Sequence, residues 1–186
     1  MLTDLMRAFL AIEVPEEIRN RLYEAAKEFK NEDTSIVHED GMHITLKFFG
    51  EIDNSEMVMI EDAMDRVDMR RFRIEIRGIG IFNPDFLKVA YAIVSEGESE
   101  IKALKKKIDN ALNDAGIGTR DEHEFSAHVT LARFKRKPNG NRILSILDKY
   151  KNASFGSFEI SKFALKKSTL TKEGSVYETL RDFNLM

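Results

Sequence analysis

The sequence predicts an α+β fold of two pseudo-symmetric lobes of antiparallel sheet, with helices outside and a cleft between them. Three observations lead there. The tetrapeptide His-aliphatic-Thr-Leu occurs twice, as His43-Ile44-Thr45-Leu46 and His128-Val129-Thr130-Leu131, about half the chain apart. Four stretches carry apolar residues at helical spacing. Strand-like stretches lie between them, so that each half holds strands, two helices and one copy of the tetrapeptide.

The elements follow in order. Arg7 to Val14 reads as a first strand. A helix follows Pro15, with Ile18, Leu22, Ala25 and Phe29 on one face. A second helix follows the cap candidates Asn54 and Ser55 and carries Met57, Ile60, Met64 and Val67. Phe72, Ile74 and Ile76 alternate with Arg71, Arg73, Glu75 and Arg77, as a half-buried strand requires. Leu87 to Val94 is an almost continuous apolar run and predicts a more central strand. Ile101, Leu104, Ile108, Leu112 and Ala115 make the third helix, which Gly116 is placed to end. The fourth carries Ile143, Leu147 and Tyr150. Strands are expected at Phe158–Ile160 and Phe163–Leu165, with the segment near Tyr177 pairing onto them.

At 186 residues the chain fits a single domain, 1–186, in which each lobe contributes one motif. A hydrophobic fraction of 42% beside 33% charged residues describes a globular protein with a heavily charged surface. The absence of cysteine excludes a disulfide framework, a thiolate nucleophile and a Cys-ligated zinc, and it is compatible with a reducing cytoplasm. The first 18 residues lack the layout of a signal peptide, and no apolar run approaches a membrane span. The expectation is a cytoplasmic monomer with no membrane partner. A net charge of −3 gives no global basic field for gripping a long nucleic acid, so such a substrate would be held locally, at one end.

The repeated motif carries the chemistry. On a strand, His43 and Thr45 project to one face while Ile44 and Leu46 anchor the other, and the second copy does the same. Two such strands across a cleft present two imidazoles and two hydroxyls to one small group. Displacement at phosphorus needs a base on the attacking oxygen and an acid on the departing one. Histidine serves in either role near neutrality because its ordinary pKa is about 6.5. The hydroxyls can donate to the non-bridging oxygens, where charge accumulates. No metal or other cofactor is required by this scheme. A single His-x-Thr is nearly uninformative, since Thr and aliphatic residues are common in strands. Repetition at half-chain spacing makes coincidence the weaker reading.

The other two histidines, His38 and His123, each stand five residues before a motif histidine. That offset is one residue too long for a His-Glu-x-x-His metal helix and puts the pair on opposite faces of a strand. They read as exposed loop residues. Strict alternation puts Lys47 on the His43 face and Arg133 on the face away from His128, unless the strand ends or bulges there. The lysines at 102, 105, 106 and 107 read as a solvated helix face.

With its two His-x-Thr motifs the sequence resembles the 2H phosphoesterase superfamily, and more closely the bacterial and archaeal RNA 2′,3′-cyclic phosphodiesterases, also called 2′-5′ RNA ligases. MRAFLAIEVP is similar to the family's opening strand, GMHITLKFFGEI to its first signature and EFSAHVTLARFK to its second. The closing pattern resembles it through Ser168, Leu170, Gly174 and Tyr177. Ala127 stands where relatives often have proline, and Gly174-Ser175 where they often have Gly-Pro; neither removes a reacting group. The resemblance implies a bilobal fold and metal-independent opening of a 2′,3′-cyclic phosphate to a 2′-phosphate. In some relatives it also implies 2′-5′ joining of tRNA halves. It implies that His43 protonates the departing 3′-oxygen and His128 activates water, an order that the near-symmetry of the motifs leaves open. Thr45, Thr130 and Arg133 would hold the phosphate. RNA ends, including tRNA fragments, are then the expected partner. The alternatives are a phosphodiesterase for small cyclic nucleotides or 2′-5′ oligoadenylates, and a non-catalytic module that binds RNA ends.

Overall fold

A computed structural model describes residues 5–82, 88–118, 124–172 and 174–186. Among these residues nine strands and four helices follow along the chain: β1 (Met6–Glu13), α1 (Glu16–Lys27), β2 (Thr34–Ile36), a 3-10 turn (Glu39–Gly41), β3 (His43–Ile52), α2 (Asn54–Met64), β4 (Phe72–Phe82), β5 (Val89–Glu96), α3 (Glu98–Asp114), β6 (His128–Phe134), α4 (Gly140–Tyr150), β7 (Ser154–Ile160), β8 (Lys162–Thr171) and β9 (Gly174–Asn184).

The predicted elements are present, with local differences. The strand expected from Leu87 starts, among the described residues, at Val89; Leu87 itself lies outside them. The N-cap of α2 is Asp53 rather than Asn54 or Ser55. Its carboxylate accepts from the Ser55 and Glu56 amides while the Glu56 side chain accepts from the Asp53 amide, a capping box. The short β2 carries too few residues to show a period.

Every strand pair is antiparallel, and all nine strands belong to one sheet in the order β7-β4-β5-β6-β3-β1-β8-β9, with β2 on β6. The two lobes are therefore the two halves of a single sheet. They meet where β3 pairs with β6 through Ile44 and Val129. The halves also exchange chain: β4, from the first half of the sequence, lies between β5 and β7 on the β6 side of the seam, whereas β8 returns to pair with β1 on the β3 side and β9 pairs onto β8.

Burial follows the periodicities. Ile18, Leu22 and Ala25 of α1, and Ile101, Leu104, Ile108 and Leu112 of α3, are all buried. Each fully buried aliphatic side chain stabilises the fold by roughly 1.5–3 kcal/mol. A surface pair such as Glu17–Arg21 contributes only a few tenths, so the apolar stripes decide where these helices dock. In the motif strands Ile44, Leu46, Val129 and Leu131 are buried, as alternation requires. Lys105 departs from the solvated helix face: it is buried, paired with Asp109 and set over the Phe125 ring. Among the described residues, no helix is long and apolar enough to cross a membrane.

Candidate active site

The β3–β6 pairing fixes the site. Extended by one residue each way from Ile44 opposite Val129, the antiparallel register sets His43 across from Thr130 and Thr45 across from His128. Same-face partners lie roughly 4.5–5.5 Å apart at Cβ and diagonal ones roughly 7–8 Å. The two histidines thus occupy one diagonal of a four-residue plaque and the two threonines the other, related by a local two-fold through the Ile44–Val129 pair. Side chains of both halves open onto a cleft of about 340 Å³, bordered by His43, Thr45, Phe48, Thr130, Arg133 and Tyr177 among others. His128 stands just outside that lining.

Two bulges bring further residues to the cleft. Leu46 is an extra residue of β3 against β1, since Ala11 pairs with Thr45 and Leu10 with Lys47. Leu131 is an extra residue of β6 against β5, since Tyr91 pairs with Thr130 and Ala90 with Ala132. Each bulge directly follows the motif threonine and reverses the alternation beyond it. Lys47 therefore leaves the His43 face and is buried, at 6% exposure, and Phe48 borders the cleft instead at 67%. Arg133, which alternation alone points away, borders the cleft. Phe48 and Arg133 are each the fifth residue after a motif histidine, so the local two-fold pairs an aromatic face with a cation.

Each imidazole sits in an aromatic frame. The His43 ring lies 4.9 Å from Phe9 and 5.2 Å, edge-on, from Tyr177 of β9. The His128 ring lies edge-on to Phe82 at 4.7 Å and to Tyr91 at 5.6 Å, and those two rings stack at 4.0 Å. Such packing limits each ring to few rotamers.

Electrostatically the two histidines differ. His128 Nδ1 lies 2.8 Å from the Ser126 carbonyl oxygen, so it donates there and the neutral ring keeps its lone pair on Nε2. Burial lowers the His128 pKa, with the Ser126 hydrogen bond opposing and Arg133 adding to the drop. Burial pushes His43 down further, to about 4, with Lys166, His128 and Arg133 acting in the same direction and Glu13 against. His43 Nδ1 is buried and, among the described residues, has no hydrogen-bond partner.

Of the other sequence-predicted features, His38 is an exposed residue beside Glu39 and the Tyr23 ring, away from the plaque, and His123 lies outside the described residues. Sequence reasoning missed Phe48, Phe9, Tyr91 and Glu13. A bulge-corrected face would have found Phe48; the others reach the histidines only through strand register.

A nine-stranded antiparallel sheet with two His-x-Thr strands meeting at its centre defines the 2H phosphoesterase class. The family model for the AKAP7 2′5′ RNA ligase-like domain matches residues 9–185. The RNA 2′,3′-cyclic phosphodiesterase of Methanocaldococcus jannaschii is 31% identical over 179 residues, 96% of this chain and 100% of that protein. The protein of the same name from Archaeoglobus fulgidus is 34% identical over 180 residues, 96% of this chain and 99% of its own. The crystal structure of TT0787 of Thermus thermophilus superposes with a TM-score of 0.78 at 27% identity, over 96% of this chain and 97% of that one. The Escherichia coli LigT structure with 3′-AMP has the same fold, with a TM-score of 0.79 at 20% identity, over 98% of this chain and 99% of that one. Within the 2H phosphoesterases, this chain belongs to the 2′-5′ RNA ligase-like family of RNA 2′,3′-cyclic phosphodiesterases.

Proposed function

We propose that this protein hydrolyses 2′,3′-cyclic phosphate ends of RNA to 2′-phosphates, with His43 as general acid, His128 as general base and no metal in the chemistry. The diagonal placement of the two histidines around two threonines carries this reading, because an in-line displacement needs its base and acid on opposite sides of phosphorus. His128 Nε2, left with a lone pair by the Ser126 contact, takes a proton from water as its oxygen attacks. The bond from phosphorus to the 3′-oxygen breaks, and His43 gives that oxygen its proton. Thr45 and Thr130 donate to the non-bridging oxygens, and Arg133 offsets their charge. Phe48 offers an exposed face beside the phosphate site to a nucleobase. With a 5′-hydroxyl in place of water, the same arrangement would join two RNA ends through a 2′-5′ linkage.

The test is product analysis on an RNA ending in a 2′,3′-cyclic phosphate. Opening to a 2′-phosphate, undiminished by EDTA and lost in His43→Ala and His128→Ala, is the expected result. A 3′-phosphate product, or wild-type rates in both variants, would sink the proposal. The cleft, about 340 Å³, can take a single nucleotide, so small nucleoside cyclic phosphates are a second substrate class; rates on a mononucleotide and on a short RNA separate the two.

A further inference from the structure

We infer that Glu13 is a positioning residue for His43, its carboxylate holding the imidazole as the proton-bearing partner, and that Lys166 moderates that hold. The inference rests on the reading of His43 as the general acid.

The register places Glu13 directly opposite His43 in the β1–β3 pair, on the same face of the sheet. A polar row crosses four adjacent strands from there. Lys166 of β8, buried to 7% exposure, donates to Glu13 Oε1; it also donates to Thr179 Oγ1 at 3.0 Å, and Thr179 of β9 donates to the same Glu13 oxygen at 3.3 Å. His43 also borders a recess of about 90 Å³, together with Glu13, Arg19, Asp40, Met42 and Lys166 among others, so this residue lines both recess and cleft. Among the described residues, the buried side-chain nitrogens without a hydrogen-bond partner are His43 Nδ1 and Arg19 Nε, and both residues border this recess. A polar recess of that size has room for a water, which could bridge an N–H to a carboxylate.

The chemistry requires such a partner. An imidazole that gives a proton from Nε2 carries a second proton on Nδ1, and the ring is then a cation. The groups around it are mostly hostile to that cation. Lys166 from β8, and His128 and Arg133 from β6, oppose it, and Tyr177 of β9 meets the ring edge-on without a charge. Arg19 of α1 stands across the recess, partly offset by Asp40 at 3.8 Å. Glu13 is the carboxylate that acts in favour of the proton.

The second half of the sheet supplies the contrast. The residue directly opposite His128 in the β5–β6 pair is Ile93. The local two-fold thus relates a carboxylate beside His43 to an aliphatic side chain beside His128. A carboxylate that only knitted strands together would be as useful in either half; one that supports a cation belongs beside the acid alone.

The experiment measures kcat/KM against pH on a cyclic-phosphate substrate for wild type, Glu13→Gln, Glu13→Asp and Lys166→Met. The His43 ring is titrated by NMR in the same proteins. In Glu13→Gln the alkaline limb and the His43 titration should both move to lower pH by about one unit, a tenfold loss of rate on that limb. In Lys166→Met both should move to higher pH, and Glu13→Asp should recover part of the Gln loss. A uniform loss of activity with the limb and the titration unmoved would show a merely structural pair and overturn the inference. If wild type fails to open the cyclic phosphate, the functional reading falls. The NMR ordering of Lys166→Met above wild type above Glu13→Gln still decides the coupling, and its absence overturns it.

Discussion

At the scale of single residues, the proposed mechanism divides labour between groups that move protons and groups that hold charge. Thr45→Val and Thr130→Val keep the shape of the strand and remove a donor, so each should lower kcat on the order of 10²-fold with little change in thermal stability. Arg133→Ala should lower kcat/KM by roughly 10- to 100-fold, since a charged hydrogen bond is worth about 1.5–3 kcal/mol, and a lower salt dependence should accompany the loss. Steady-state kinetics at two ionic strengths checks both. The histidines and threonines were legible in the sequence because the motif repeats, and a repeat is a signal one strand lacks. Glu13 was not legible. Its role is created by a register between strands thirty residues apart in sequence, which no local pattern records.

Individual elements owe their positions to a few backbone decisions. Gly97, at φ 78°, turns the chain from β5 into α3, and a Cβ there would meet the Arg73 carbonyl oxygen at 2.5 Å and Ile74 Cγ2 at 2.6 Å. Gly97→Ala should cost roughly 1–3 kcal/mol from backbone strain, with the steric clash added, seen as a clear fall in melting temperature. Asp53→Ala removes the acceptor for two α2 amides and should cost roughly 0.5–2 kcal/mol in chemical denaturation. Helices were legible to within two or three residues, Val67 lying three beyond the end of α2, because burial of one stripe dominates their energetics. The faces of the motif strands were legible only as far as the threonines. Period-two alternation assumes one residue per partner, and the bulges at Leu46 and Leu131 break that assumption, which is why Lys47 and Arg133 trade the faces that alternation gives them.

For the whole molecule, the exchange of strands between halves makes the fold one cooperative unit. Cutting the chain between β4 and β5 leaves β1 without β8 and β5 without β4. Thermal unfolding followed by circular dichroism should show one transition, and a fragment ending before β4 should not fold alone. Stability should also depend on pH through the buried histidines. Above pH 6.5 His43 is neutral in both folded and unfolded chains. Below it the unfolded chain takes a proton that the folded chain refuses until about pH 4, so stability is lost as pH falls across that window. His128 acts in the same direction. The melting temperature should fall between pH 6.5 and 4, less steeply in His43→Asn.

The seam between β3 and β6 has a consequence for dimensional tolerance. The shortest covalent and hydrogen-bonded path between the two histidines runs one residue along β3, across the Ile44–Val129 pair and one residue along β6, with no loop in it. Errors of position that build up through turns do not enter that distance, so the spacing of the two histidines is a stiff dimension of the molecule. The cleft wall that carries Leu170 and Tyr177 is attached differently. It belongs to the β8–β9 hairpin, which, among the described residues, pairs with the rest of the sheet through β1 and has β9 as an edge strand. Differences in substrate shape can therefore be taken up at that wall while the gauge set by the seam stays constant.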